Sequence, residues 1–137
     1  MAEQGTGASP EAAAHLLRAR ARSAELWVPL EGTSMLPTIE ALSEGLVTAI
    51  RRPRWGEVWA FVDARGELTV HRVIARLRGD RWLLRGDGSE HTDAPVDASL
   101  LIGPVRVVRH QGRTRQLRRS RLMALRLHAR RLVGLLR

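Results

Sequence analysis

Three short segments of this chain carry side chains that could act together in nucleophilic catalysis. Ser34 lies in the mostly apolar segment GTSMLPT, His71 lies in VHRVI, and Asp87 and Asp93 lie in RGDGSEHTD. A serine hydroxyl is a weak nucleophile at its free pKa and needs a neighbouring base. The sequence contains neither lysine nor cysteine. The base must therefore be a histidine or a carboxylate, and thiolate chemistry is excluded.

In this order, the three segments resemble the type I signal peptidases. The closest resemblance is to the archaeal, endoplasmic-reticulum and sporulation-type branch, which uses histidine where the common bacterial enzymes use lysine. The same fold and nucleophile motif also occur in the self-cleaving LexA-type repressors. The resemblance covers residues 26–108, and its motifs are specific in combination because each supplies a different part of one mechanism.

The resemblance implies a role for each of these residues. Ser34 is expected to attack a peptide carbonyl, with His71 as general base and then general acid. The histidine-type family requires two aspartates six positions apart, and these match Asp87 and Asp93. Both compete as the acid that orients the imidazole; we assign Asp93 to that role and Asp87 to a supporting one. The Asn that follows Gly-Asp in the family is replaced here by Gly88.

The expected substrate is a peptide or preprotein that adds as an extended strand beside segments 30–32 and 68–70. The residues expected to contact it are Leu30, Gly32, Met35 and Val70. The backbone N–H of Ser34 is the expected oxyanion donor. By resemblance, the residue at the cleaved bond is small, typically alanine.

Other interpretations remain open at this point. The same fold could serve as a non-catalytic peptide-binding module, and His91 is a minor rival to His71 as the base. A LexA-type repressor fits poorly, because about 25 residues before the fold are too few for a helix-turn-helix domain. No cofactor is expected, and no metal site, because the remaining histidines lack metal-ligand spacing.

Charge is distributed very unevenly along the chain. The net charge is +9, yet all 14 acidic residues precede residue 98, whereas 11 of the 23 arginines follow it. Such asymmetry predicts an anionic partner for the C-terminal part alone. An anionic membrane surface, bound through residues 112–137, is one candidate, and packing within the protein or on a partner is another. Nucleic acid is not expected, because no recognition motif accompanies the charge.

Neither a membrane span nor a signal peptide is expected. No apolar run approaches the roughly 20 residues that cross a bilayer. The first ten residues lack a basic region followed by an apolar stretch. The expected location is therefore cytoplasmic or peripheral to a membrane.

The elements that position these residues predict a mainly β protein. We expect an N-terminal tail and helix in residues 1–25, a β catalytic domain in 26–110, and a basic amphipathic helix in 111–137. Predicted strands cover 26–31, 46–51, 57–63, 68–77, 81–85 and 100–110, typical of a coiled sheet or partly open barrel. The apolar stripe predicted on the C-terminal helix consists of Leu122, Leu125, Ala129, Leu132, Val133 and Leu136.

Overall fold

The structure, a computed structural model, describes residues 9–49 and 52–135. Its elements in chain order are helix α1 (Pro10–Ser23), strands β1 (Leu26–Leu30), β2 (Ser43–Val47), β3 (Val58–Val62), β4 (Leu68–Leu77), β5 (Arg81–Arg85) and β6 (Val96–Asp97), a single 3-10 turn (Ala98–Leu100), strands β7 (Leu101–His110) and β8 (Arg113–Gln116), and helix α2 (Arg121–Leu135). The antiparallel strands form a half-barrel sheet with a helix at each end of the chain, which confirms the predicted mainly β coiled sheet with flanking helices.

All strand pairs are antiparallel, in the order β1-β2-β7-β3-β4-β5-β6, with β8 added to β7. The long strand β7 connects the two halves of the sheet. Its first residues pair with β3 and its later residues with β2. Gly103 is needed where β7 passes residue 48, because a Cβ there would lie 2.0 Å from the Thr48 carbonyl oxygen.

Strand β3 is buried on both faces, which explains its continuous apolar sequence. Successive strand residues point to opposite faces. Val58, Ala60 and Val62 join a core that includes Ala14 of α1, whereas Trp59 and Phe61 join a second core. Helix α1 begins where the sequence predicts, since the Ser9 hydroxyl accepts a hydrogen bond from the Ala12 N–H and Pro10 opens the first turn.

The sequence predictions are wrong for β2 and missed the short strand β6 and strand β8. The second strand was expected over 46–51 but is β2 over Ser43–Val47, so the predicted turn up to residue 45 is too long; residues 50 and 51 lie outside the described residues. The bounds of β2 are determined by its pairing with β1 and β7 and not by local strand propensity. Strand β8 was not predicted; it returns along β7 through Gln111 and Gly112, both at positive φ.

The C-terminal helix begins at Arg121, later than expected, and packs through a different face from the one predicted. Ala124 and Leu127 are fully buried against Ile74 and Leu83 of the sheet. The predicted stripe instead faces solvent wherever it is described; Leu136 lies outside the described residues. No helix in residues 9–49 and 52–135 has the length and apolar content needed to span a bilayer.

Candidate active site

A hydrogen-bonded line joins three side chains from distant parts of the chain. The Ser34 Oγ lies 3.0 Å from His71 Nε2, and His71 Nδ1 lies 2.5 Å from Asp93 Oδ2. Ser34 stands in the turn after β1, His71 stands on β4, and Asp93 stands in the loop after β5. The three predicted residues are thus brought together in the geometry of a nucleophile, a base and an orienting acid.

Strand pairing determines where the imidazole lies. His71 is directly opposite Trp59 in the β3–β4 register, so the two side chains share a face of the sheet. The ring of Phe61 on the same face is centred 5.9 Å from the imidazole, with the planes tilted by 58°. His71 is only 7 % exposed. The ring is therefore held by packing on one side while both its nitrogens have partners.

The loop that carries Asp93 is anchored by backbone contacts. The Asp93 N–H donates to the Leu84 carbonyl at 3.0 Å, which ties the loop to β5. The buried guanidinium of Arg85 donates to the carbonyls of Ser89 and Glu90 at 2.9 Å. Burial lowers the pKa of Arg85, and the nearby charge of an α2 arginine adds a smaller effect in the same direction. The Asp93 side chain itself stays 27 % exposed.

Asp87 does not contact His71 and instead forms a separate buried assembly. Its carboxylate accepts two hydrogen bonds from Arg72, at 2.8 and 2.7 Å, and a third from the Thr38 hydroxyl. The Arg72 guanidinium also donates to the Gly56 carbonyl at 2.7 Å. The side chains of Asp87 and Arg72 are 0 % and 2 % exposed. Of the two aspartates left open by the sequence, only Asp93 is in reach of the imidazole.

This assembly holds the turn that carries the nucleophile. Thr38 ends that turn, and Asp87 additionally donates its backbone N–H to the Met35 sulfur at 3.4 Å. The Gly88 N–H donates to the Ser34 carbonyl at 2.8 Å. The loop after β5 therefore forms hydrogen bonds with both ends of the Ser34 turn. These hydrogen bonds fix the position of the serine hydroxyl beside the imidazole.

Two glycines allow this close approach. A Cβ at Gly86 would lie 2.4 Å from the Ser34 carbonyl oxygen and 3.0 Å from His71 Nε2. A Cβ at Gly88 would lie 2.6 Å from the Leu36 carbonyl oxygen. Contacts below 3.0 Å are not found for real Cβ atoms. Both glycines are therefore required by this loop conformation.

A small cavity of about 130 Å³ adjoins Ser34. Its walls include all four residues predicted to contact substrate, which are Leu30, Gly32, Met35 and Val70, together with Ile39 and Leu68. Of these, Met35 is almost fully buried and forms the floor with Ile39. A second cavity of about 470 Å³ lies against His71 and Asp93 and is walled by Phe61 and Leu100. The line of hydrogen-bonded groups thus adjoins one cavity at Ser34 and another at His71 and Asp93.

The backbone beside Ser34 carries unused hydrogen-bonding groups. β1 is the terminal strand of the described sheet and pairs only with β2 there. β5 pairs with β4 from residue 72 onwards, so residues 68–71 have a strand partner on one edge only, β3. In residues 9–49 and 52–135, the Ser34 N–H has no protein acceptor. The open edges of β1 and β4 belong to the two segments, 30–32 and 68–70, beside which the substrate strand was predicted.

Sequence reasoning did not single out Arg72, Thr38 or Arg85. A lone arginine inside the apolar run VHRVI was the available signal, because a buried guanidinium requires a carboxylate partner. The rival base His91 is exposed, and the hydrogen-bond partner of Ser34 Oγ is His71. No group of three or more potential metal ligands occurs within the described ranges.

Neither a family model nor a curated protein matches this chain.

Proposed function

We propose that this protein is a serine endopeptidase that uses Ser34, His71 and Asp93 to cleave a peptide or preprotein next to a small residue. The observation that carries the proposal is the unbroken line of hydrogen bonds from the serine hydroxyl through the imidazole to a carboxylate. An isolated serine, or a strand histidine without a carboxylate, would support no such chemistry.

The proposed first step is acylation. Ser34 Oγ attacks the carbonyl carbon of the substrate while its proton passes to His71 Nε2, and Asp93 stabilises the imidazolium that forms. The tetrahedral oxyanion accepts a hydrogen bond from the Ser34 N–H. The C–N bond then breaks, and His71 returns the proton to the leaving amine, which leaves an acyl ester on Ser34.

Deacylation repeats the same transfers with water. His71 removes a proton from the water as it attacks the ester, and then donates the proton to Ser34 Oγ as the ester bond breaks. The product is a free carboxylate, and the enzyme returns to its starting state. Both halves of the cycle require one group that alternates between base and acid, which suits an imidazole at neutral pH.

The open edges of β1 and β4 support an extended peptide as the substrate. A strand laid between residues 30–32 and 68–70 would satisfy backbone groups on both sides, as in other cases of strand addition. The cavity of about 130 Å³ at Ser34 has room for a small side chain of such a peptide. The size of the substrate side chain in this cavity would therefore contribute most of the preference for one peptide sequence over another.

The decisive experiment compares wild type with Ser34→Ala on a peptide library rich in alanine and glycine, with products identified by mass spectrometry. Wild type should cleave, and Ser34→Ala should lose cleavage by about a thousandfold or more. Ser23→Ala, at the exposed end of α1, is the matched control and should cleave like wild type. Equal cleavage by Ser34→Ala would exclude Ser34 as the nucleophile. Binding by both proteins without cleavage would favour a peptide-binding module with the same groove.

A further inference from the structure

Helix α2 carries apolar side chains on two opposite faces. At 100° per residue, Ala124 and Leu127 lie on the face that packs against the sheet. On the other side lies the outer leucine face, which consists of Leu122, Leu125, Leu132 and Val133. These four side chains are 60, 55, 46 and 51 % exposed. A surface helix of a globular protein normally places polar residues there.

The charged residues of α2 beside the outer leucine face are all arginines. Arg121, Arg126 and Arg130 are exposed beside it, and no acidic residue follows Asp97 in the sequence. None of the salt bridges among the described residues involves an arginine of α2. The helix therefore presents aliphatic carbon and uncompensated positive charge to the same side.

These two properties restrict what can cover the face. A second copy of the chain would bring arginines against arginines. Nucleic acid would neutralise the arginines, but its backbone offers nothing apolar to four aliphatic side chains. An anionic lipid surface accepts both, because leucines enter the boundary between headgroups and acyl chains while arginines extend to the phosphates.

We propose that α2 docks this protein onto an anionic lipid surface through the outer leucine face. The inference goes beyond the proposed peptidase activity and does not depend on it. Arg130 and Leu135 of α2 line a cavity of about 430 Å³ together with His91 and Asp93. The loop that carries Asp93 is therefore a direct neighbour of α2.

Vesicle co-sedimentation of the full chain tests the proposal. Vesicles of pure phosphatidylcholine are compared with vesicles in which about 40 % is phosphatidylglycerol, and Ser34→Ala is used so that proteolysis plays no part. The bound fraction should rise on the anionic vesicles and fall again with added salt, because attraction of arginines to the surface is screened.

Two variants separate the apolar from the electrostatic contribution. Leu125→Ser with Leu132→Ser should lower partitioning onto anionic vesicles at least about tenfold. Arg121→Gln with Arg126→Gln should lower it by roughly fivefold for each arginine. Leu16→Ser, at a position 64 % exposed on α1, and Arg20→Gln are the matched controls and should bind like the parent. Circular dichroism checks that each variant keeps the parent fold, as expected for exposed positions.

The proposal is overturned if the parent stays in the supernatant with both compositions, in which case an acidic protein with an apolar groove becomes the favoured occupant. It is equally overturned if the leucine variants sediment as well as the Leu16→Ser control. Loss of lipid binding would leave the peptidase proposal untouched, since cleavage is measured without vesicles.

Discussion

His71 and Arg72 are neighbours on β4, yet each meets a different aspartate of the same loop. His71 meets Asp93, whose side chain is 27 % exposed, whereas Arg72 meets Asp87, whose side chain is fully buried. An imidazole can gain and lose a proton at neutral pH, and a guanidinium cannot. One loop thus supplies one carboxylate to the imidazole beside Ser34 and another to the guanidinium of the assembly that holds the Ser34 turn.

The comparison predicts that substituting one aspartate lowers the rate of cleavage, whereas substituting the other lowers the free energy of unfolding. Asp93 should matter for the rate and little for stability. Asp87 should matter first for stability, and for the rate only because the Ser34 turn moves. Four sets of substitutions test this difference, and the expected effects decrease from the first to the last.

The largest effect is expected for Asp93→Asn. An amide can no longer hold the required imidazole tautomer or stabilise the imidazolium, so kcat should fall by about 10⁴-fold. The free energy of unfolding should change by less than about 1 kcal/mol, since the carboxylate is partly exposed. Peptide cleavage and urea unfolding measure the two quantities. The control is Asp80→Asn, an exposed turn residue that should match wild type in both; a fall in activity below tenfold for Asp93→Asn would contradict its assigned role.

Asp87→Asn should act on stability instead. It leaves the Arg72 guanidinium buried and unpaired, which costs about 3–5 kcal/mol in the free energy of unfolding. The double variant Arg72→Met, Asp87→Leu removes both charges and should recover most of that loss. Urea unfolding of Arg72→Met, of Asp87→Leu and of the double variant gives the coupling between the residues. Additive losses would mean that the pair does not act as a unit.

Gly86→Ala should disturb both assemblies at once. The added methyl group overlaps the Ser34 carbonyl oxygen and approaches His71 Nε2. We expect a loss of about 1–3 kcal/mol in stability from overpacking and about a hundredfold loss of kcat from displacement of the serine. Gly134→Ala, whose Cβ would meet nothing within 4 Å, is the matched control. A Gly86→Ala variant with full activity would show that the loop need not approach Ser34 so closely.

The smallest effect is expected for Thr38→Val, which removes one hydroxyl donor from the Asp87 carboxylate and keeps the side-chain shape. The two hydrogen bonds from Arg72 remain, so the expected loss in the free energy of unfolding is about 1–2 kcal/mol. Thr38→Ser retains the hydroxyl and should lose less. If Thr38→Val costs nothing while Thr38→Ser lowers the free energy of unfolding, methyl packing rather than the hydrogen bond stabilises the turn.

Strong local patterns were predicted accurately. The hairpin of β4 and β5 has its predicted bounds, because alternating apolar residues flank a turn in which Gly79 and Asp80 adopt positive φ. β3 was predicted to within a residue at each end, since its run of apolar residues is short and bounded by turn residues. The prediction failed for strands whose bounds depend on their pairing partners. β2 lies where β1 and β7 pair with it, and β8 forms only because it pairs with β7.

For the candidate site, residue types carried the prediction further than spacing did. Ser34 and His71 could be singled out because no lysine or cysteine competes with them. Asp93 was assigned to the imidazole and Asp87 to a supporting role, but residue types and spacing alone do not require this, because six residues of loop can turn either carboxylate towards the imidazole. In the structure, Asp87 accepts two hydrogen bonds from the buried Arg72 guanidinium, and Asp93 is the aspartate that reaches the imidazole.

The amino-acid sequence by itself determined the available chemistry: a hydroxyl, an imidazole and carboxylates, with positive charge concentrated after residue 97. Tertiary structure alone decided which carboxylate meets the imidazole and which face of α2 stays open. The physical reason is that composition and periodicity are local properties, whereas the path of a loop and the docking of a helix depend on what is already packed against them.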